Sequence, residues 1–425
     1  MALVGLGVLV LLAFVSFLDR HVVTLMVAPI EADLHISDGQ IGMLQGPAFT
    51  LLYPLFAIPI GYAADRYSRR WVIFWSVTLW ALCAMGSGLA GSYGVLFAAR
   101  AGVGLGEAAV GPAVASLLSD IFPKRRLATV FSVYASGSIL GQAGALAIGG
   151  AIISWAGPGM EAPLLGHLAA WQIAFIVTGA PALILACAIF IVPEPPRLPR
   201  SAEAKGPPWG EVLAFLRSTW LFLACYVIGQ SLLILVNLGV WTWLPVAIAR
   251  SYGWTPLQIG SALGVFTAVF GLCGQLGNGL MVDRLFVRRR DAHLRYYFFG
   301  SFIIVASACL SLLAPSALIF LLILGPMKFL MNFGGVFIAA LQVATPARLR
   351  GRVTALSTMI IQIVGYTFGP LVVPLLTERV FHDPSKVKLA CALTAAIFVP
   401  LAAVCFAIGQ KPMREAVRLA AAPEG

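Results

Sequence analysis

The segment GYAADRYSRR, residues 61–70, recurs as GLMVDRLFVRRR, residues 279–290, at an offset of 218 positions. We call these two segments the signature loops. At this offset the following residues align: Gly61 with Gly279, Asp65 with Asp283 and Arg66 with Arg284. SDGQIGMLQG at 37–46 and TPLQIGSALG at 255–264 align at the same offset. The two halves of the chain are therefore related repeats that run in the same direction.

The sequence between these loops is strongly apolar. Hydrophobic residues make up 60% of the 425 residues and charged residues only 11%, unlike an ordinary soluble domain. Most of the apolar stretches reach the roughly 20 residues that a helix needs to cross a bilayer, and they lack the alternating polar faces of soluble helices. The stretches are 4–30, 39–63, 71–90, 94–121, 127–155, 169–192, 217–249, 256–282, 296–313, 316–345, 353–377 and 388–409. The sequence predicts an all-α polytopic membrane protein with twelve transmembrane helices in two six-helix bundles.

The distribution of basic residues predicts the topology. Of the 28 Lys and Arg, 21 fall in loops on one side of the twelve spans. The positive-inside rule assigns this side, with both termini, to the cytoplasm, which explains the net charge of +11 without nucleic acid. The predicted domains are an N-terminal bundle at 1–192, a cytoplasmic linker at 193–216, a C-terminal bundle at 217–410 and a cytoplasmic tail at 411–425.

The signature loops resemble the Gly-x-x-x-Asp-Arg-x-x-Arg-Arg loop of the major facilitator superfamily. The segments FLDRHVVTLMVAPIEADLHISDGQIGML and RAGVGLGEAAVGPAVASLLSDIFPKRR more closely resemble the spinster subfamily of lipid-type transporters, and this resemblance is sharpest in residues 14–150. It implies the major facilitator fold, with rocking of the two bundles and a sphingolipid-like or lysolipid-like substrate. One departure is Gln142 after Gly141, where exchangers of the superfamily usually have Gly-Pro; Gly369-Pro370 occurs in span eleven instead. This motif therefore does not predict exchange.

The resemblance also implies a conformational latch in the signature loops. In this interpretation the aspartates hold one half to the other in one state, and the nearby glycines allow close helix approach. Alternatively, the arginines only set topology. The residues of the predicted latch are Gly61, Asp65, Arg66, Arg69, Arg70, Gly279, Asp283 and Arg284.

Four ionisable residues lie within apolar stretches of the N-terminal half. Asp19 and Arg20 lie near the middle of span one, and Arg100 and Glu107 lie two turns apart on one face of span four. Charges at this depth are costly and persist mainly where they pair or face a watery cavity. We predict that Asp19 and Glu107 couple transport to protons and that Arg20 and Arg100 bind an anionic substrate group. The alternative is a buried ion network that only fixes two helices together.

The C-terminal half carries fewer charges within its spans. Lys328 is a candidate second anion contact, although a lysine that extends towards an interface is an equally good interpretation. Polar candidates in neighbouring spans are Asn237, Gln362 and Tyr366. A charged half that faces a more apolar, aromatic half would suit an amphiphile.

These patterns predict a proton-coupled secondary transporter of an amphipathic organic anion or lysolipid, with an uncoupled or multidrug-type exporter as the alternative. GVGLGEAAVG at 102–111 has nucleotide-like glycine spacing but no βαβ context, and no P-loop accompanies it. No converging catalytic set, metal-ligand cluster or channel filter is evident, so we expect no enzyme, no cofactor and no metal. We expect a monomer in a bacterial inner membrane.

Overall fold

The computed structural model describes residues 2–50, 56, 67–108, 110–123, 126–162, 166–195 and 208–421. Helices dominate these residues. The helices of the first half are α1 Ala2–Val22, α2 Val27–Leu34, α3 Asp38–Gln45, α4 Pro47–Thr50, α5 Arg69–Ser87, α6 Tyr93–Glu107, α7 Val110–Ile121, α8 Leu127–Ala156 and α9 Ala170–Ala188. The later helices are α10 Trp209–Ser218, α11 Trp220–Tyr252, α12 Pro256–Phe286, α13 Ala292–Leu310, α14 Ala317–Leu330, α15 Gly334–Ala344, α16 Arg350–Leu375 and α17 Val387–Ala421.

Ten helices of the described residues are long and apolar enough to cross a membrane. Helix α5 occupies the predicted third span, although its first turn holds Arg69 and Arg70. Much of the predicted second span, 39–63, lies outside the described residues. Two further elements lie between spans: an antiparallel pair of strands, β1 Met160–Ala162 and β2 Gly166–Leu168, and helix α10 in the predicted linker.

The chain forms two compact units. Unit 1 contains Met1–Arg197, Thr242–Ala268 and Pro374–Val387, and unit 2 contains Leu198–Trp241, Val269–Val373 and Lys388–Gly425. Unit 1 thus includes the end of α11 and the start of α12 from the second sequence half. These segments pack closely on α8, because a Cβ atom at Gly260 would lie 2.3 Å from the backbone oxygen of Leu146.

Glycines of the predicted fifth and eleventh spans let two helix pairs approach closely. In unit 1, a Cβ atom at Gly141 of α8 would lie 2.3 Å from the backbone oxygen of Phe14 in α1. In unit 2, a Cβ atom at Gly369 of α16 would lie 3.0 Å from the backbone oxygen of Leu235 in α11. The glycine run therefore serves the α1–α8 contact even though Gln142 replaces the usual proline.

We expect Gly141→Ala to destabilise the protein by about 1–3 kcal/mol, because the added methyl group would push α1 away from α8. Thermal unfolding of the purified protein in detergent would measure the loss. Gly7→Ala is the matched control, because Gly7 is exposed on α1 and no described atom lies within 4 Å of its added Cβ position. Equal unfolding temperatures for Gly141→Ala and the parent would contradict this close contact.

Two predicted spans are interrupted at related positions of the two halves. Span four consists of α6, which ends at Glu107, and α7, which begins at Val110. Span ten consists of α14, which ends at Leu330, and α15, which begins at Gly334. In unit 2 a side-chain amide binds the backbone oxygens at the break. Asn278 Nδ2 donates to the backbone oxygen of Phe329 at 2.8 Å and to that of Asn332 at 3.0 Å. Irregular backbone at membrane depth needs such partners.

Candidate functional site

The first charged pair of unit 1 joins Arg20 to Glu107. Arg20 Nη2 donates to Glu107 Oε2, and Ser16 Oγ donates to Glu107 Oε1 at 2.9 Å. The Glu107 side chain is 4% exposed and that of Arg20 is 19% exposed, so the acid is less accessible to solvent than its partner. The Arg20 guanidinium also lies 4.0 Å from the centroid of the Phe49 ring. A protein anion and an aromatic face therefore both hold this cation.

The second charged pair joins Asp19 to Arg100. Arg100 Nη1 donates to Asp19 Oδ2 at 3.4 Å, and both side chains are almost completely buried. The Arg100 guanidinium lies 5.4 Å from the centroid of the Phe175 ring in α9. Each acid on one helix thus pairs with an arginine on the other, so neighbouring residues of α1 form opposite halves of two ion pairs.

The position of Glu107 at the end of α6 gives the first pair a special setting. A helix end leaves backbone groups without intrahelical partners, and discontinuous membrane helices often form the substrate and ion sites of transporters. Lys328 lies in the last turn of α14, beside the second interruption. Glu107 and Lys328 therefore lie at corresponding breaks in spans four and ten.

Lys328 is buried in unit 2. Its Nζ atom lies 4.5 Å from the centroid of the Trp241 ring, and its backbone oxygen accepts a 2.8 Å hydrogen bond from Asn332 Nδ2. A lysine that extended into the interfacial water would not be buried in this way. The other polar candidates of this half, Asn237, Gln362 and Tyr366, are half-buried on α11 and α16, and their binding role stays a prediction.

The signature loops are only partly described. Gly61, Asp65 and Arg66 lie outside the described residues. Arg69 is buried and takes part in a network within unit 1: its Nη1 atom donates to Asp120 Oδ2, and its backbone N–H donates to Glu194 Oε1 at 2.6 Å. Arg70 Nε lies 3.6 Å from Glu194 Oε2.

All residues of the second signature loop lie within the described part of the chain. Asp283 and Arg284 are exposed at the end of α12, and Gly279 is half-buried one turn earlier. No described atom lies within 4 Å of an added Cβ at Gly279, so the close helix approach expected there is not observed in the described part of the chain. A latch role for these residues stays a prediction.

Sequence reasoning missed an ionic cluster around Arg250, at the end of α11. Its guanidinium binds both oxygens of Asp38, at 2.7 and 2.8 Å, and donates to Glu31 Oε2 at 3.2 Å. Glu378 Oε1 accepts a 2.7 Å hydrogen bond from the backbone N–H of Gly39. Glu31 in α2 and Asp38 at the start of α3 lie more than 200 residues before Arg250 in the sequence. No sequence pattern links residues so far apart, so only the fold reveals the cluster.

This cluster should respond to pH. Burial beside Asp38 raises the pKa of Glu31 from 4.5 to about 8. A raised pKa means that the folded protein favours protonated Glu31, so its contribution to stability is complete below pH 4.5 and is lost as pH rises through about 8. We expect the unfolding temperature to fall between pH 5 and 8 more steeply in the parent than in Glu31→Gln. Glu415→Gln, at an exposed residue, is the control, and parallel pH profiles for the parent and Glu31→Gln would contradict the assignment.

Among the described residues, no group of three His, Cys, Asp or Glu could hold a metal ion. Two repeated sets of apolar helices, interrupted where buried charges lie, define a membrane transport protein rather than a soluble receptor. The family model of the Major Facilitator Superfamily matches residues 9–370. The chain belongs to this superfamily, and the predicted fold is confirmed.

Similar proteins support the spinster resemblance. Protein spinster homolog 1 of Mus musculus is 26% identical over 398 residues, which cover 88% of this chain and 72% of that protein. An MFS-type efflux pump of Mycolicibacterium smegmatis is 24% identical over 409 residues, covering 95% and 91%. The crystal structure of a bacterial homologue of the human lysosomal transporter spinster, inward-facing and unoccupied, matches with a TM-score of 0.77 at 21% identity, covering 97% and 96% of the two chains. These relatives confirm the similarity to spinster proteins.

Proposed function

We propose that this protein is a proton-coupled secondary transporter that moves an amphipathic organic anion or lysolipid by alternating access. The observation that carries the proposal is the Arg20–Glu107 pair at the interruption of span four. It joins a group that can take up a proton to a cation that can bind an anion, and both lie in a membrane-spanning segment.

Competition for Arg20 would couple proton binding to anion binding. Ionised Glu107 holds the guanidinium; a protonated Glu107 carries no charge and releases most of that attraction. An anionic substrate group can then take the place of the carboxylate, while Phe49 continues to hold the cation in position. Proton binding and anion binding would therefore favour each other at this residue, which is a reciprocal free-energy coupling.

We assign the Asp19–Arg100 pair a second, less accessible role in the same cycle. Its side chains are buried where the Arg20 side chain is partly exposed, so cargo would meet Arg20 first. Because α1 carries both Asp19 and Arg20, a movement of this helix that breaks one pair also strains the other. The state of the Arg20–Glu107 pair would therefore be transmitted to Asp19 through α1, which carries both Asp19 and Arg20.

The second half carries fewer charges within its spans than the first, which suits the apolar part of an amphiphile. Tyr226, Tyr297, Phe337 and Phe406 form a buried aromatic cluster that packs the interior of unit 2, in which the Tyr297 and Phe337 rings stack with centroids 4.9 Å apart. We propose Lys328 as a second anion contact, with Asn237, Gln362 and Tyr366 as polar neighbours of the cargo. A lipid-like cargo is what the resemblance to the spinster subfamily implies.

Alternating access requires contacts that form in one state and break in another. The Arg250 cluster joins segments from both sequence halves, so we propose that it opens during the cycle. The signature loops would act as the latch on the cytoplasmic side. We further propose a monomer in a bacterial inner membrane, with both termini cytoplasmic and bundles at 1–192 and 217–410 joined by the linker.

Proteoliposomes that contain the purified protein would test the proposal. Uptake of labelled lysolipids and organic anions is measured with and without an imposed pH gradient, and protein-free liposomes are the control. We expect uptake against a concentration gradient only when the pH gradient is present. Transport that ignores the gradient would contradict proton coupling and would favour the uncoupled exporter, to which the efflux-pump relative points.

A further inference from the structure

A basic cavity of about 560 Å³ lies within unit 2, away from the buried charge pairs. It lies between the loop that joins α12 to α13 and the last turns of α17. Its lining residues are Arg288, Arg289, Arg290, Asp291, Arg414 and Arg418. This volume is within the range of small-molecule binding sites, so the cavity can accept more than a simple ion.

The charges of this cavity are unbalanced. Five guanidinium groups face one carboxylate, which gives the lining a net charge of +4. The carboxylate of Asp291 is buried and lies 3.9 Å from Arg414 Nε, so it is already engaged by one of the five. Arg288 and Arg418 are exposed residues. Like charges gathered in this way repel one another unless an anion neutralises them.

The chemistry of the lining suits the oxyanions that guanidinium groups bind through paired donors, which are carboxylate and phosphate. A guanidinium group presents a planar set of N–H donors that binds phosphate oxygens in pairs, and arginine is preferred to lysine where such binding matters. All five cations of the cavity are arginines. A ligand with two phosphate groups would engage more of them than a ligand with one.

The surroundings of the cavity indicate that the phosphate belongs to a lipid. Helices α12, α13 and α17 are candidate membrane spans, and the cavity lies at their polar ends, where headgroups would be. Val287 and Leu419, next to Arg288 and Arg418, are 88% and 59% exposed, so apolar side chains flank the cations. Basic pockets at the cytoplasmic ends of membrane helices bind anionic headgroups in this way.

The geometry points to a binding site for an anionic phospholipid headgroup, of the two-phosphate class, between the α12–α13 loop and the end of α17. The site lies away from the buried charge pairs, although Arg288, Arg289 and Arg290 belong to the second signature loop. Its occupant would tie the C-terminal end of α17 to the α12–α13 loop through shared phosphate oxygens.

Lipid binding to the purified full-length protein tests the proposal. The probes are cardiolipin with two phosphates, phosphatidylglycerol with one, zwitterionic phosphatidylcholine and soluble pyrophosphate, each titrated in detergent and counted by native mass spectrometry. We expect cardiolipin to bind most tightly and Arg288→Gln/Arg418→Gln to weaken it about 30-fold, from the loss of two cations near the membrane surface. Arg217→Gln/Lys411→Gln removes two exposed charges outside the cavity and should bind cardiolipin like the parent.

Two outcomes would overturn the proposal. One is equal cardiolipin affinity in the parent and in Arg288→Gln/Arg418→Gln, when both elute as folded protein in size-exclusion chromatography. The other is an affinity for pyrophosphate equal to that for cardiolipin, which would identify the occupant as a soluble anion rather than a lipid. Because the readout is lipid binding, neither outcome depends on the transport activity proposed above.

Discussion

Replacing Glu107 with Gln is expected to abolish proton-driven accumulation of cargo while sparing some exchange. The glutamine side chain would keep the shape and a hydrogen-bond acceptor for Ser16 and Arg20, but it cannot exchange a proton. We expect the accumulation ratio under a pH gradient to fall about 10-fold or more, which is within the range of coupling free energies between sites. Proteoliposome uptake with an imposed gradient measures accumulation, and counterflow without a gradient measures exchange.

The matched control is Glu415→Gln, which makes the same chemical change at an exposed position of α17. It should accumulate cargo like the parent. Accumulation by Glu107→Gln at the parental level would remove Glu107 from the coupling mechanism, whereas loss of both accumulation and exchange would assign it to cargo binding alone.

Replacing Arg100 with Ala is expected to destabilise the protein by about 3 kcal/mol or more, because it leaves Asp19 buried without its cation. The double variant Asp19→Asn/Arg100→Gln removes both charges and should recover most of the lost stability. If the pair were only a structural link between α1 and α6, the double variant would also recover transport. We expect it to stay inactive, because neither proton uptake nor anion binding is possible at two neutral amides.

Thermal unfolding in detergent and proteoliposome uptake, measured on the same preparations, separate these outcomes. Arg217→Ala provides the control, since it removes an exposed arginine from α10. A stable double variant that transports at the parental rate would show that Asp19 and Arg100 serve only to hold their helices together.

The repeat, the spans and the four buried charges could be predicted from the sequence because each has a local pattern. Long apolar stretches predict helices, and an ionisable side chain within such a stretch is conspicuous. The partners were harder to predict. The spacing of Arg100 and Glu107 predicts that they share a face of one helix, but Arg100 pairs with Asp19 and Glu107 with Arg20, which depends on how α1 lies against α6.

The helix interruptions and the Arg250 cluster were not predicted, for two different reasons. Both breaks carry local signals, since Gly111 and Pro112 follow the first and Asn332, Gly334 and Gly335 lie at the second, but the long apolar stretches around them indicated continuous spans. The cluster joins residues 31, 38 and 250, whose proximity depends on contacts between distant helices. Helix α10 was not predicted, because the sequence around it is rich in proline. In the structure its residues Trp209 and Glu211 contact Arg352 and Arg348, respectively.

The Arg250 cluster affects any attempt to express the two halves as separate polypeptides. A cut in the linker would give a first fragment that keeps Glu31 and Asp38 but lacks the guanidinium that binds them both. In that fragment the two acids would lie side by side without Arg250. It would need the second fragment, or a cation that replaces the guanidinium, to restore the contacts of this cluster.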